Sequence, residues 1–158
     1  MAVKLDKKIL QKLKRNVRFM DGSNTQTGFF GAKPHDSKGN TTATIALWQE
    51  YGTQVGRGNS KIPERPFMSS TYIKAGNYRS SLVKAARDIL TGKSTTKTSL
   101  DKLGKKVAMD MQLSLWAWST PPNADSTVDR KGFDFPLVET MTLFNSIKSR
   151  TKINGGKK

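Results

Sequence analysis

The chain has 158 residues, enough for about one domain, and its hydrophobic content of 35% implies a modest core. It carries 28 Lys and Arg against 12 Asp and Glu, a net charge of +16, and no cysteine. That excludes disulfides, thiol nucleophiles and cysteine-bound metals, and it favours a polyanionic neighbour or an acidic protein surface. The opening MAVKLDKKIL lacks the apolar run of a signal peptide, and no 18-residue apolar stretch occurs. The expectation is a soluble protein made in a cytoplasm, with no membrane partner.

Leu5, Ile9, Leu13 and Val17 recur every four residues with Lys7, Lys8, Lys12, Lys14 and Arg15 between them, which predicts an amphipathic helix with a basic outer face. Val17 to Met20 reads as a short strand, Asp21-Gly22 as a turn, and Thr27 to Ala32 as the hairpin partner. Residues 33–41 are a polar loop by composition. Thr41 or Thr42 is placed to cap a helix through Tyr51, and Gly52 stands where a helix ends in a left-handed residue. Residues 53–61 read as a flexible loop and 62–67 as extended, since each proline biases its predecessor away from helix.

A helix is expected from near Pro66 to Leu90, broken at Gly76, with Tyr78, Leu82, Ala85, Ala86 and Ile89 on one face. Residues 91–98 form a polar basic linker. The clearest helix is 99–119. Leu100, Leu103, Val107, Met111, Leu115 and Trp118 make one apolar stripe, and Met109, Leu113 and Trp116 make a second about 180° away at 100° per residue. One stripe belongs to the core and the other needs a second cover, which makes Met109, Leu113 and Trp116 candidates for a subunit interface. Pro121-Pro122 stops the helix, residues 123–136 form a loop, Thr140 caps a short helix through Phe144, and Ile147 to Ile153 is a last strand. The fold class is α+β, a small antiparallel sheet packed with several helices. A single domain over 1–150 is followed by a basic, disordered tail over 151–158.

Catalytic chemistry is poorly served. The single histidine, His35, sits in a loop of small polar residues with no nucleophile-elbow motif. The acidic residues are scattered, without the spacing of a metal cluster or carboxylate dyad. Gly56-Arg57-Gly58 lacks the length and lysine of a phosphate-binding loop. The expectation is a non-enzyme without catalytic residues, metal or cofactor.

Two constellations remain. One is Ala46, Glu50, Tyr51, Gly52 and Thr53 at a helix end, followed by Ile62, Pro63, Arg65, Pro66 and Phe67, with Glu50 available as a partner for Arg65. The other is Pro121, Pro122 and Asn123, then Ser126, Thr127, Lys131 and Gly132, then Pro136, Leu137, Val138, Glu139, Thr140 and Leu143. In this order and at these distances, over residues 43–150, the set resembles the tail-completion or head–tail joining proteins of tailed phages, including the Z-type proteins of lambda-like phages. Met141 departs from the glycine usual in that family, which argues against a left-handed backbone after Thr140.

The resemblance implies an α+β virion subunit that forms a ring, commonly six-fold, at the head–tail interface, assembled in the host cytoplasm. Its partners would be copies of itself, a tail terminator or tail tube protein, a head connector or stopper, and packaged DNA held without sequence specificity. Lys7, Lys8, Lys12, Arg57, Arg79, Lys84, Arg87, Lys93 and Lys97 are the DNA-facing candidates. The rival reading is a nucleic-acid-binding module in which Trp48, Tyr51 and Arg57 grip a backbone.

Overall fold

The computed structural model describes residues 6–31, 34, 39–54, 61–74 and 78–154; Leu5, His35, the Gly56-Arg57-Gly58 loop, Gly76 and residues 155–158 lie outside these. The described residues form an α+β fold, in order α1 (Lys7–Met20), β1 (Asn24–Phe29), α2 (Thr42–Tyr51), β2 (Thr53–Gln54), β3 (Lys61–Ile62), α3 (Phe67–Lys74), α4 (Tyr78–Leu90), α5 (Thr96–Trp116), α6 (Asp125–Lys131), α7 (Thr142–Ser146) and β4 (Ile147–Lys152). They group into two compact units. Unit 1 comprises residues 1–26, 77–106 and 149–158, and unit 2 residues 27–76 and 107–148, so α5 contributes to both.

Unit 1 is built on α1 and α4. The Asp6 side chain caps α1 by accepting from the Lys8 N–H at 2.8 Å. The helix runs on through Val17 to Met20, so the expected hairpin does not form. Ile9, Leu13, Val17 and Met20 repeat at steps of four, four and three, which suits a helix and leaves no strand to pair. Asp21 and Gly22 instead end α1, with the Asp21 N–H donating to the Val17 carbonyl and Gly22 at φ 69°. The strand β1 pairs with β4, which takes in Thr151 and Lys152. Asn16 Nδ2 donates to the Ile89 carbonyl at 2.8 Å, tying α1 to α4. Ile89 and Leu103 are the buried apolar residues described in this unit. Burial is thin elsewhere: Ile9, Val17 and Leu82 are 63%, 48% and 48% exposed.

One close approach sets the packing of α5 in unit 1. A Cβ on Gly104 would stand 2.4 Å from Thr25 Oγ1 and 2.9 Å from Ser149 Cβ. A helix interior ordinarily gains up to about 1 kcal/mol from Gly→Ala. Here the added methyl meets both strands, so Gly104→Ala is expected to lower stability by about 2 kcal/mol. Urea unfolding followed by circular dichroism measures it, and a stabilised variant would show that the strands yield.

Unit 2 holds most of the core: Ala46, Phe67, Ala108, Met111, Leu115, Leu137, Leu143 and Ile147 form one buried cluster. Thr41 caps α2, its hydroxyl accepting from the Thr44 N–H at 3.2 Å, and Gly52 ends it at φ 67°. The ends of the expected loop pair, Thr53 opposite Ile62 and Gln54 opposite Lys61, antiparallel. A Cβ on Gly52 would lie 2.8 Å from the Ile62 carbonyl, so this turn requires glycine both for its φ and for its space.

Four expected boundaries move. The long helix spans 96–116 rather than 99–119, because Thr95 Oγ1 accepts from the Thr98 N–H at 3.1 Å and caps it early. At its far end the chain leaves α-geometry before Thr120-Pro121, a cis bond. Within the expected loop 123–136 lies α6, ended by Gly132 in a left-handed conformation (φ 78°) with its N–H on the Val128 carbonyl. Thr140 does not cap α7. The cap position is Met141, which does adopt the left-handed region (φ 59°) although it is not glycine. The expectation drawn from Met141 is therefore corrected, at a backbone cost of about 1 kcal/mol.

Candidate functional site

The first constellation folds into a polar hub in unit 2. Ala46 and Glu50, four residues apart on α2, both face inward, at 1% and 2% exposure. Expected as a partner for Arg65, Glu50 instead caps α3. Its carboxylate accepts from the Met68 N–H at 2.9 Å, the Ser69 N–H at 2.8 Å and the Ser69 hydroxyl at 2.6 Å. The reason is that the first turn of a helix presents unpaired N–H groups and a partial positive charge, which suit a buried carboxylate.

Arg65 is buried at 4% exposure and reaches neutral oxygens only. Its Nε donates to the Pro121 carbonyl at 3.1 Å, one terminal nitrogen to Gln49 Oε1 at 2.9 Å and the other to the Pro122 carbonyl at 2.9 Å. The Arg65 N–H also donates to the Gln49 carbonyl at 2.6 Å. Arg65 thus fastens the segment before α3 to the diproline turn. Burial pulls its pKa down, and the negative charge of Asp134 works against that. Phe67 follows as a core residue at 0% exposure, edge-on to Phe29 with centroids 6.3 Å apart.

The second constellation meets the first around a cleft of about 310 Å³. Arg65, Lys131, Pro136, Leu137 and Thr140 all line it, together with Gln49, Arg130 and Glu139. Arg130 grips Glu139 with one contact of 2.6 Å and a second of 3.4 Å. Lys131 Nζ donates to the Phe135 carbonyl and stands 5.0 Å above the Phe133 ring. Burial lowers the Lys131 pKa, with Glu139 acting in the other direction. Asp134 accepts from Asn123 N–H at 3.0 Å and from Asn123 Nδ2 at 2.9 Å, closing the turn after the diproline.

Of the other motif residues, Pro66 precedes α3, Gly52 and Gly132 end helices, and Tyr51 points out at 66% exposure. No family model, curated protein or solved structure matches this chain. The motif residues therefore have to be read from what they touch. Glu50, Gly52, Phe67 and Gly132 hold the fold of unit 2, and Arg65 both fastens that fold and lines the cleft.

The second α5 stripe lies on the open side. Met109 and Leu113 are 61% and 55% exposed, and Trp116 is 46% exposed against Phe135 (5.6 Å) and Phe144 (6.4 Å). With Phe133 and Phe135, also exposed, these residues make an aromatic strip that single-helix periodicity did not foresee. The first stripe behaves as read, with Leu103, Met111 and Leu115 buried.

Charge divides between the units. Nineteen of the 28 basic and four of the 12 acidic residues belong to unit 1, a net of +15; nine and eight belong to unit 2, a net of +1. Lys7, Lys8, Lys12, Arg79, Lys84, Arg87, Lys93 and Lys97 are all in unit 1 and all exposed, while Arg57 lies outside the described residues. Lys97 is engaged by Asp101 at 2.6 Å, and the hydrogen bonds that Asp101 accepts from Lys97 and Thr151 hold its carboxyl below the usual range. Trp48 and Tyr51, the aromatic grip of the rival reading, belong to unit 2, which lacks the basic excess. Among the described residues no cluster of acidic side chains and histidine suits a metal ion, and no helix is long and apolar enough to cross a membrane.

Proposed function

We propose that the protein is a non-enzymatic structural subunit of a tailed-phage neck, which assembles with its own copies into a six-fold ring that completes the tail and joins it to the head around the DNA channel. The observation that carries the reading is the division of labour in one chain: nearly all the net positive charge sits in unit 1, and an exposed aromatic strip sits in the charge-balanced unit 2. A ring around DNA needs both, since heterologous contacts are closed by apolar surface and a channel wall must attract phosphates without reading sequence. The ordered motif set over residues 43–150 supplies the link to head–tail joining proteins, and with it the expected neighbours: a tail terminator or tube protein on one side, a connector or stopper on the other. The protein would then reside in the virion, and in the host cytoplasm during assembly.

Met109→Asp combined with Trp116→Asp is expected to leave a folded monomer and abolish the ring, as read by sedimentation velocity; an unchanged oligomer would remove the strip from the interface. Imaging of intact particles then places the subunit, and its absence from purified virions would overturn the reading. The second reading, a free-standing non-specific nucleic-acid-binding module, is favoured by the +15 of unit 1 alone. It predicts salt-dependent DNA binding by a monomer that never forms a ring.

A further inference from the structure

We infer that the cleft of unit 2 is a docking site for an acidic segment of a partner protein, a stretch with Asp or Glu side chains set between aliphatic ones. Its lining joins two chemistries. Ile45, Ile62, Leu137 and Leu143 give apolar surface, and Lys61, Arg65, Arg130 and Lys131 bring four cations against the single carboxylate of Glu139. This positive charge is local, because unit 2 as a whole carries only +1.

Arg65 makes the strongest demand. A guanidinium has five N–H donors. Among the described residues three of them have partners, all uncharged oxygens, and no carboxylate comes within ion-pair distance. A cation buried to 4% exposure without an ion pair of its own, and with only the more distant charge of Asp134 to offset its burial, is costly, and an arriving carboxylate recovers part of that cost. The volume of about 310 Å³ fits a few peptide side chains and is small for a folded surface. The chain is itself a poor source of the occupant, since its net charge is +16. A peptide of opposite charge from another protein meets every one of these features.

The inference goes beyond the ring: a monomer that binds the peptide keeps it while removing the neck assignment. Isothermal titration calorimetry on the full chain at roughly 0.15 M salt tests it. The probe is the peptide acetyl-Val-Leu-Glu-Leu-Asp-amide, compared with its Gln/Asn counterpart. Binding of the acidic peptide is expected to be at least about tenfold tighter, the worth of one charge-assisted hydrogen bond. Arg130→Glu should cost a similar factor, and the 64% exposure of that side chain keeps the fold out of question. Lys84→Gln with Lys93→Gln removes the same amount of charge from unit 1 and should leave affinity unchanged. Equal affinity for both peptides, or an equal loss in the unit 1 variant, would reduce the effect to bulk charge and overturn the proposal. So would binding confined to an aliphatic peptide with a free C-terminal carboxylate, because the site would then read chain ends.

Discussion

Glu50→Ala is expected to lower the unfolding free energy by about 3 kcal/mol. The substitution removes the acceptor for three donors, the Met68 N–H, the Ser69 N–H and the Ser69 hydroxyl. Loss of a helix cap alone costs about 1 kcal/mol, and hydrogen bonds to a charged acceptor are worth about 1.5–3 kcal/mol each where water cannot replace them. Ser69 is exposed, so water recovers part of that, which keeps the total well below the sum. A cavity next to Ala46 adds to the loss.

Glu50→Gln retains the volume and one acceptor oxygen but turns an amide N–H₂ towards a backbone donor. Its loss should fall between alanine and wild type, at about 1.5 kcal/mol. The three tryptophans, Trp48, Trp116 and Trp118, all belong to unit 2, so urea unfolding followed by tryptophan fluorescence reports on the unit concerned. A change under about 1 kcal/mol for alanine would mean that α3 is held by Phe67 in the core and not by its cap.

Removing the basic surface of unit 1 should have the largest effect on binding. Lys7, Lys8, Lys12, Arg79, Lys84 and Arg87 replaced together by glutamine leave the fold intact, since every one is exposed. Each phosphate contact contributes about 0.9 to the slope of log affinity against log salt. If the six all face DNA, the slope drops by about 5 and affinity at low salt by roughly a thousandfold or more. Fluorescence anisotropy with a short duplex at several salt concentrations measures both. An unchanged slope would mean that the charge of unit 1 serves solubility or another protein. The same titration with duplexes of unrelated sequence should give one curve, because contacts to phosphate carry no sequence information.

Several elements were legible from the chain alone because their signals are local. Thr41 and Gly52 bracket α2 through hydroxyl capping and a positive φ, properties of single residues. The two α5 stripes follow from helical periodicity, which sorts side chains by direction before anything is packed. Elsewhere local signals competed. Val17 to Met20 satisfies a short strand and the last turn of a helix equally well, and the continuing step of three to four decided for the helix. Thr95 is one of several hydroxyl residues in TGKSTTKT, and nothing in that run says which of them caps.

The sequence by itself determined the charge, the missing thiols, the α+β class, the capping of α2 and the two apolar stripes of α5. Tertiary structure alone decided what the motif residues do. Glu50 chose the α3 terminus over Arg65 because a helix start offers several aligned donors at once, and that helix is placed by the packing of Phe67. Arg65 found the Pro121 and Pro122 carbonyls 56 and 57 residues away in the chain, a pairing that no spacing rule anticipates. Met141 took the left-handed turn between Leu137 and Leu143, both of which are buried in the core cluster, at about 1 kcal/mol of local strain. The sorting of +15 into unit 1 is likewise invisible in linear order, because that unit is assembled from three separate segments. Composition reports how much charge a chain holds; only folding reports where it gathers.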